Sequence, residues 1–318
     1  MFALFSSLAF SALVLQHEEK SFLSWMRSSN QFYTGDEYQF RLGIWLANQR
    51  LVQEHNSKVD SFKLSMNRFA AYTPSEYRSL LGFKQSTQKS VKKPPVVTKP
   101  SNSDSLDWRE LGAVSPIQDQ GSCGSCWAFS AVVCFEGAEF LKHNVLYKFS
   151  EQFLVDCSTE DHGCDGGMPY HAYEYVIQQC GGKVMLNSDY PYKGIDDDCK
   201  FDENKAVGHF ARWYDVKQGS ESELASYLEQ YGPTSVGIDA STIQFQLYTS
   251  GIFNDPKCSQ IYLNHGIGLV GYGVDGDVGY WIVRNSWGAA WGEQGYARFL
   301  RGHNMCGLAT SATVVESD

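Results

Sequence analysis

The 318-residue sequence has no excess of positive charge: 26 Lys and Arg stand against 36 Asp and Glu, for a formal net charge of −10. With no broadly basic composition to meet phosphates, nothing points to a nucleic-acid partner. It also lacks an apolar run of about 20 residues, the length a membrane-spanning helix needs. Internal repeats are absent, so a solenoid or propeller is not indicated. What is present is ordinary globular material. Hydrophobic residues make up 43% and aromatics 14%, enough to bury one or two cores in a chain of this length.

The longest uncharged apolar stretch is Met1 to Leu15, which ends at the polar run Gln16-His17-Glu18-Glu19-Lys20. It reads as a signal peptide, with cleavage expected between Ser11 and Gln16, although only the free amino terminus supplies positive charge ahead of the apolar run. Residues 1–101 hold 13 Lys and Arg against 7 Asp and Glu, whereas residues 102–318 hold 13 against 29. A leader of charge +6 attached to a body of charge −16 suits two parts of one chain that dock electrostatically. From Glu18 to about Leu81 the apolar residues Tyr38, Leu42, Trp45, Leu46 and Val52 recur at helical spacing. Residues 84–105 are rich in Lys, Ser and Pro and contain no aromatic, the composition of an exposed, protease-accessible linker. Beyond Leu106 a helix-forming stretch from Cys126 to Leu141 gives way, past Phe210, to short β-type runs.

All nine cysteines lie after residue 120, at an odd count that leaves at least one thiol unpaired in an exported protein. Cys126 sits where the glycine-rich run Gln118-Asp119-Gln120-Gly121-Ser122-Cys123-Gly124-Ser125 enters a helix-forming stretch. A thiol at a helix N-terminus meets unpaired amide groups and the positive end of the dipole, both of which favour the thiolate. Gln120 lies on the same turn, where its amide can aim at the oxygen of a tetrahedral intermediate beside the Cys126 N–H. Cys123-x-x-Cys126 by itself also suits a redox dithiol or half a zinc site. A zinc site, however, needs a second close-spaced pair, and the remaining cysteines are scattered. Of eight histidines, His265 alone opens an apolar, glycine-interrupted strand, Asn264 to Gly273. Twenty residues later, Tyr280 to Gly292 ends a second strand in Asn285 flanked by tryptophans. An amide oxygen there can hold an imidazole without adding charge, and Trp287 can screen the bond from water.

The run Cys123-Gly124-Ser125-Cys126-Trp127, with the His265 strand and the segment Asn285-Ser286-Trp287-Gly288, resembles the papain family of cysteine proteases, in its cathepsin L-like branch. The resemblance covers about residues 18–315. It implies an α+β, papain-like two-domain fold, with a helical left domain, a β-barrel-like right domain and the active cleft between them. It further implies a signal peptide at 1–15, an inhibitory propeptide and linker at 16–101, and a mature peptidase at 102–318. Cys126 becomes the nucleophile, His265 the base, Asn285 its orienter and Gln120 an oxyanion donor, with no metal or cofactor. The implied bridges are Cys123–Cys164, Cys157–Cys199 and Cys258–Cys306, while Cys134 and Cys180 have no counterpart. Gly166 and Gly167 would pair with an extended substrate, and Met168, Pro169, Gly237, Leu263, Gly266 and Ser311 would line an apolar pocket for the penultimate acyl-side residue. Expected partners are protein and peptide substrates, the chain's own propeptide and cystatin-like inhibitors, for a monomer in lysosome-like vesicles or outside the cell.

Two patterns in the leader also resemble that family. Glu37, Arg41, Trp45, Asn48, Val52 and Asn56 form one helical stripe, with Trp45 and Val52 as conservative departures. Ser65-x-Asn67-x-Phe69-x-Ala71 keeps Asn and Phe but has Ser and Ala where the family has Gly and Asp. Removal of the leader is expected near Lys99 to Ser105, with acid weakening carboxylate contacts between leader and body. A binding protein that kept the fold without activity, or a zinc or redox module, remains a rival class on sequence grounds.

Overall fold

The computed structural model describes residues 17–85 and 104–318. The expected signal peptide at 1–15 and most of the linker lie outside the described residues. In the leader, a helix over 17–28 (α1) precedes the long helix Gly35–Lys58 (α2). Helix α2 contains no proline, and it carries Asp36 and Glu37 in its first turn and His55 and Lys58 in its last, which complements its dipole.

The stripe along α2 faces inward and is largely satisfied. Trp45 packs with Phe22 and Trp25 at centroid separations of 5.6 and 6.3 Å. The Asn48 amide donates to the Ala70 carbonyl (2.8 Å), and Asn56 takes both the N–H and the C=O of Leu64 (2.9 Å each), as a neighbouring strand would. Residues Phe62–Leu64 are therefore a short strand, β1, in a stretch where helical periodicity predicts helix. Three residues are too few to register in a helical pattern, and their pairing with Tyr248–Phe253 (β5) comes from the body of the molecule. Pro74–Ser79 (α3) starts with proline and a full capping box between Thr73 and Glu76.

The body begins with the two-residue strand Leu106–Asp107 (β2), followed by Cys126–His143 (α4), Glu151–Cys157 (α5) and Pro169–Gln179 (α6). Then come Phe210–Asp215 (β3), Glu221–Tyr231 (α7), Thr234–Ile238 (β4), Ile243–Gln246 (α8) and β5. The last strands are His265–Asp275 (β6), Val278–Arg284 (β7), Tyr296–Leu300 (β8) and Ala312–Ser317 (β9). The sheet is an open path in the order β1-β5-β8-β7-β6-β4-β9-β3, with β2 pairing β6. The leader thus contributes an edge strand to the body's sheet.

Helix α4 is buried continuously from Cys126 to Glu139. It is apolar on nearly every side because it separates two cores, as a central helix must. On one side Trp127, Phe135, Phe149, Phe153, Tyr173 and Trp213 fill the helical half. On the other, α4 lies against β4, β6 and β9. The bridges are Cys123–Cys164, Cys157–Cys199 and Cys258–Cys306. Cys134 and Cys180 are free and buried. No helix among the described residues is long and apolar enough to cross a membrane.

Trp45 is 2% exposed, so Trp45→Ala should destabilise the leader by about 3–5 kcal/mol. Urea unfolding of the full chain carrying Cys126→Ala, with and without the substitution, measures this.

Candidate active site

Cys126 is the first residue of α4, and its side chain is completely buried. The turn before it uses a left-handed Gly121 (φ +62°) and a Gly124 whose Cα faces the Cys164 carbonyl too closely for a side chain. The sulfur accepts from the Gly266 N–H at 3.4 Å, which brings it beside the residue that follows His265. The turn and β6 meet here.

His265 Nε2 lies 2.8 Å from Asn285 Oδ1, which also accepts the Ser286 N–H at 2.8 Å. Because that oxygen can only accept, Nε2 must carry the proton, and in the neutral ring Nδ1 keeps its lone pair. Nδ1 is buried and finds no hydrogen-bond partner, which leaves it free to take a proton. The Trp287 indole stacks on the imidazole at 4.8 Å and 29°. Gln120 is locked from three sides. Its N–H donates to Ser286 O (2.8 Å), its Oε1 accepts from Ser286 Oγ (2.7 Å), and its Nε2 donates to Cys123 O (2.8 Å) and Leu80 O (2.9 Å). The second of those carbonyls belongs to the leader.

Residues Leu80 to Lys84 run through this cleft. Phe83 bridges Gly167 in parallel sense: the Gly167 N–H donates to Gly82 O (2.8 Å) and the Lys84 N–H to Gly167 O (3.0 Å). Phe83 N–H donates to Asn264 O on the opposite wall (3.1 Å). The Phe83 ring is buried with Cys126, Met168 and Leu263. A Cβ at Gly237 would lie 2.6 Å from that ring and one at Gly266 3.3 Å, so both glycines make room for it. Pro169 opens α6 beside Met168, and the Ser311 carbonyl accepts from the Gly237 N–H (2.8 Å). Four of the six expected pocket residues therefore meet the Phe83 side chain; Pro169 and Ser311 border it through their neighbours. At Gly166, a Cβ would lie 2.5 Å from Gly82 O, so its bareness admits the leader backbone.

A second contact seats the leader on Trp287. Phe69 and Tyr77 meet its ring edge-on at 5.2 and 5.7 Å. Asn67 Nδ2 donates to Gln246 O and Gln246 Nε2 to Phe69 O, both at 2.8 Å, while Tyr77 Oη donates to Ala240 O at 2.7 Å. Among the described residues the only ion pair joining leader to body is Arg68 with Asp119. The contact is thus mostly apolar and backbone-mediated, whereas the charge asymmetry of the sequence suggested electrostatic docking. Net charge counts every exposed side chain, but only those at the contact take part. Inside the leader, Glu76 pairs with Arg41, whose guanidinium also donates to Ala71 O (2.9 Å). The Arg41 bond holds the Glu76 carboxyl down at about 2, below its usual 4.5. That bridge therefore contributes in full above pH 4.5 and is lost only as pH falls through about 2.

Burial decides the protonation of the pair. It pushes the Cys126 thiol up to about 11, although four backbone N–H groups, those of Gly266 and Gly82 among them, pull the other way. It pushes His265 down to about 4 against the Asn285 hydrogen bond. Near neutral pH both groups are thus uncharged beneath the leader. The helix N-terminus alone predicts a thiolate, but exclusion of water outweighs it. The sequence reading also missed Gly82, Phe83, Ser286 and Gln246. Phe83 had a signal, as the last aromatic before the aromatic-free linker.

Two outcomes follow. Alkylation of Cys126 by iodoacetamide in the intact chain should stay slow between pH 5 and 9 and accelerate only toward pH 11, as followed by mass spectrometry. In Gly82→Ala, the new methyl would stand 1.7 Å from Gly124 O. The leader must lift there, and if the clash removes about 1.4 kcal/mol or more from the seated state, alkylation at pH 7 should quicken by at least about tenfold.

Comparison with known proteins agrees with this geometry. Residues 102–316 match the model of the papain family cysteine proteases, and residues 22–77 match the cathepsin propeptide inhibitor domain. Among curated relatives, cysteine proteinase 5 of Dictyostelium discoideum is 40% identical, covering 92% of this chain and 91% of its own. Procathepsin L of Mus musculus is 39% identical, covering 91% and 89%. The solved digestive procathepsin L 3 from Tenebrio molitor larval midgut superposes with a TM-score of 0.86 at 36% identity, over 94% of this chain and 99% of that one. The chain belongs to the papain family of cysteine proteases, as a cathepsin L-like endopeptidase that carries its own inhibitory propeptide.

Proposed function

We propose that Cys126 is the nucleophile of this endopeptidase, His265 its base, Asn285 the residue that orients the imidazole, and Gln120 an oxyanion donor together with the Cys126 N–H. The observation that carries the reading is the Leu80 carbonyl accepting from the Gln120 amide beside the buried thiol. In this reading, the Leu80 carbonyl stands in for the developing oxyanion at the Gln120 amide. Once the leader departs, water reaches the thiol and the imidazole, and proton transfer to Nδ1 yields a thiolate and an imidazolium. The sulfur then attacks the peptide carbonyl carbon, and negative charge builds on the oxygen facing Gln120. His265 gives its proton to the leaving amine, which departs as the C–N bond breaks. Water, deprotonated by His265, then splits the thioester and releases the acid. Asn285 accepts from Nε2 throughout and keeps Nδ1 aimed at the chemistry.

Substrate takes the place of residues 80–84. Gly166 and Gly167 pair with its backbone, and the pocket of Met168, Pro169, Gly237, Leu263, Gly266 and Ser311 receives the penultimate acyl-side residue. Phe83 filling that space supports an apolar preference, since the described lining offers no carboxylate to meet Arg. Trp287 shields the Asn285–His265 bond from water. We further propose export through the secretory pathway, to lysosome-like vesicles or the extracellular space, processing near residues 99–105, a monomeric state, and inhibition by cystatin-like proteins.

Processed enzyme should cleave a fluorogenic dipeptide with Phe or Leu before Arg at least about tenfold better in kcat/KM than one with Arg in the penultimate place, the worth of ~1.4 kcal/mol. Gln120→Ala should lower kcat by about 10²- to 10³-fold with little change in KM. Cys126→Ala should abolish both cleavage and labelling by an epoxide thiol inactivator. Processed, reduced wild type that neither cleaves a diverse peptide library nor labels at Cys126 overturns the reading in favour of a binding protein.

A further inference from the structure

At the end of α4 opposite Cys126, Glu139 and His143 stand one turn apart on the same helical face, and His209 approaches from the segment that precedes β3. Glu139 Oε2 lies 3.7 Å from His143 Nε2, and Oε1 lies 3.7 Å from His209 Nδ1. One ligand atom from each of the three residues falls within 4.8 Å of the others. The Glu139 side chain is 2% exposed, whereas both histidines are exposed. Its carboxylate accepts from the His209 N–H (2.8 Å) and Ser317 Oγ (3.2 Å). Among the described residues, no Lys or Arg forms an ion pair with it; His143 and His209 do so only when protonated.

A buried carboxylate served by neutral donors and two imidazoles is short of positive charge. A bound cation meets that need. The carbonyls at the C-terminal end of α4 add negative potential in the same place. Two imidazoles and one carboxylate select a borderline divalent ion, whereas Ca²⁺ and Mg²⁺ prefer all-oxygen sites. Ligand atoms held about 2.0–2.2 Å from a tetrahedral Zn²⁺ stand roughly 3.3–3.6 Å apart; here each imidazole lies 3.7 Å from one carboxylate oxygen, and the three ligand atoms fall within 4.8 Å. The exposed imidazoles need only small rotations to close on an ion, while the buried carboxylate supplies the fixed point.

We propose that Glu139, His143 and His209 bind one Zn²⁺ ion, with water in the fourth position, and that the ion clamps the C-terminal end of α4 to the strand-leading segment at His209. The site is separate from the peptidase chemistry and does not depend on its assignment. The test uses the full chain carrying Cys126→Ala, which removes the nucleophilic thiol as a competing ligand. Zinc chloride titrated at pH 7.5 should bind with one-to-one stoichiometry by calorimetry and raise Tm by several degrees, while Mg²⁺ and Ca²⁺ do neither. Co²⁺ should give the visible absorption of a four-coordinate nitrogen and oxygen site. His143→Ala and His209→Ala, at exposed positions, should each weaken zinc binding at least tenfold, and together remove the Co²⁺ band. His143→Gln serves as a second variant should either alanine chain unfold. Absence of zinc binding to the Cys126→Ala chain, or unchanged affinity in the folded double variant, overturns the proposal and leaves Glu139 to its hydrogen bonds from the His209 N–H and Ser317 Oγ.

Discussion

The structure turns on the exclusion of water from one sulfur atom. Cys126 has what an activated thiol requires: a helix N-terminus, convergent N–H groups and a histidine on the neighbouring strand. Even so, the thiol stays protonated, because the segment from Leu80 to Lys84 lies over it. Solvation of a thiolate and an imidazolium is worth more than the dipoles the site offers in its place. Much of the leader's architecture serves this burial. The stripe on α2 holds residues 62–71, residues 67–77 grip Trp287, and the chain then reaches the cleft at a defined height.

That height is set by backbone. Gly82 passes Gly124 so closely that a methyl group on Gly82 would overlap the Gly124 carbonyl. Gly166 and Gly237 are bare for related reasons, one beside the leader backbone and one beneath the Phe83 ring. The pocket chemistry expected of the enzyme is thereby used twice, since the same walls that would select an apolar substrate residue hold Phe83. Glycine's lack of a side chain is the specificity device here, and it leaves no charge for acid to neutralise. At Ala71 the leader offers Arg41 only a backbone carbonyl, and Arg41 finds its charged partner in Glu76. The leader's main internal ion pair therefore survives mild acid.

The segments that meet at the candidate site could be picked out in the sequence because each is local: a cysteine at a glycine-rich turn before a helix, a histidine opening a strand, an asparagine among tryptophans. The two family models that match, at residues 22–77 and 102–316, leave between them the proline- and lysine-rich stretch in which composition alone suggests a linker. What could not be read is whatever depends on apposition. Strand β1 looks helical because its reason for being extended lies nearly 190 residues away in β5. The +6 and −16 charges suggested attraction, yet Arg68 and Asp119 form the single ion pair between leader and body among the described residues. Gln120 announced itself as a donor, but nothing local disclosed that Ser286 fixes its amide or that Leu80 supplies its acceptor. The neutrality of Cys126 belongs to the same class, because burial is a property of the assembled chain.

The described segment Leu80 to Lys84 fills the cleft without bringing one peptide carbonyl to both Cys126 and Gln120, and the contacts themselves explain why. On the proposed assignment, acyl transfer needs a single carbonyl group, with its carbon at the sulfur and its oxygen at the Gln120 amide. The leader divides those positions between two residues. To the sulfur it offers the Gly82 N–H, a donor with no electrophilic carbon, and to Gln120 it offers the oxygen of Leu80, two residues earlier. Among the described residues, these two contacts come from different peptide groups of the leader. Its parallel bridge to Gly167 fixes this mismatch, because the chain direction determines which backbone atom faces the thiol at a given pocket register. A chain that seats an apolar side chain in the same pocket but runs the opposite way can bring a carbonyl carbon to the sulfur. Over these walls strand direction decides which backbone atom meets the sulfur, independently of the side chain that fills the pocket.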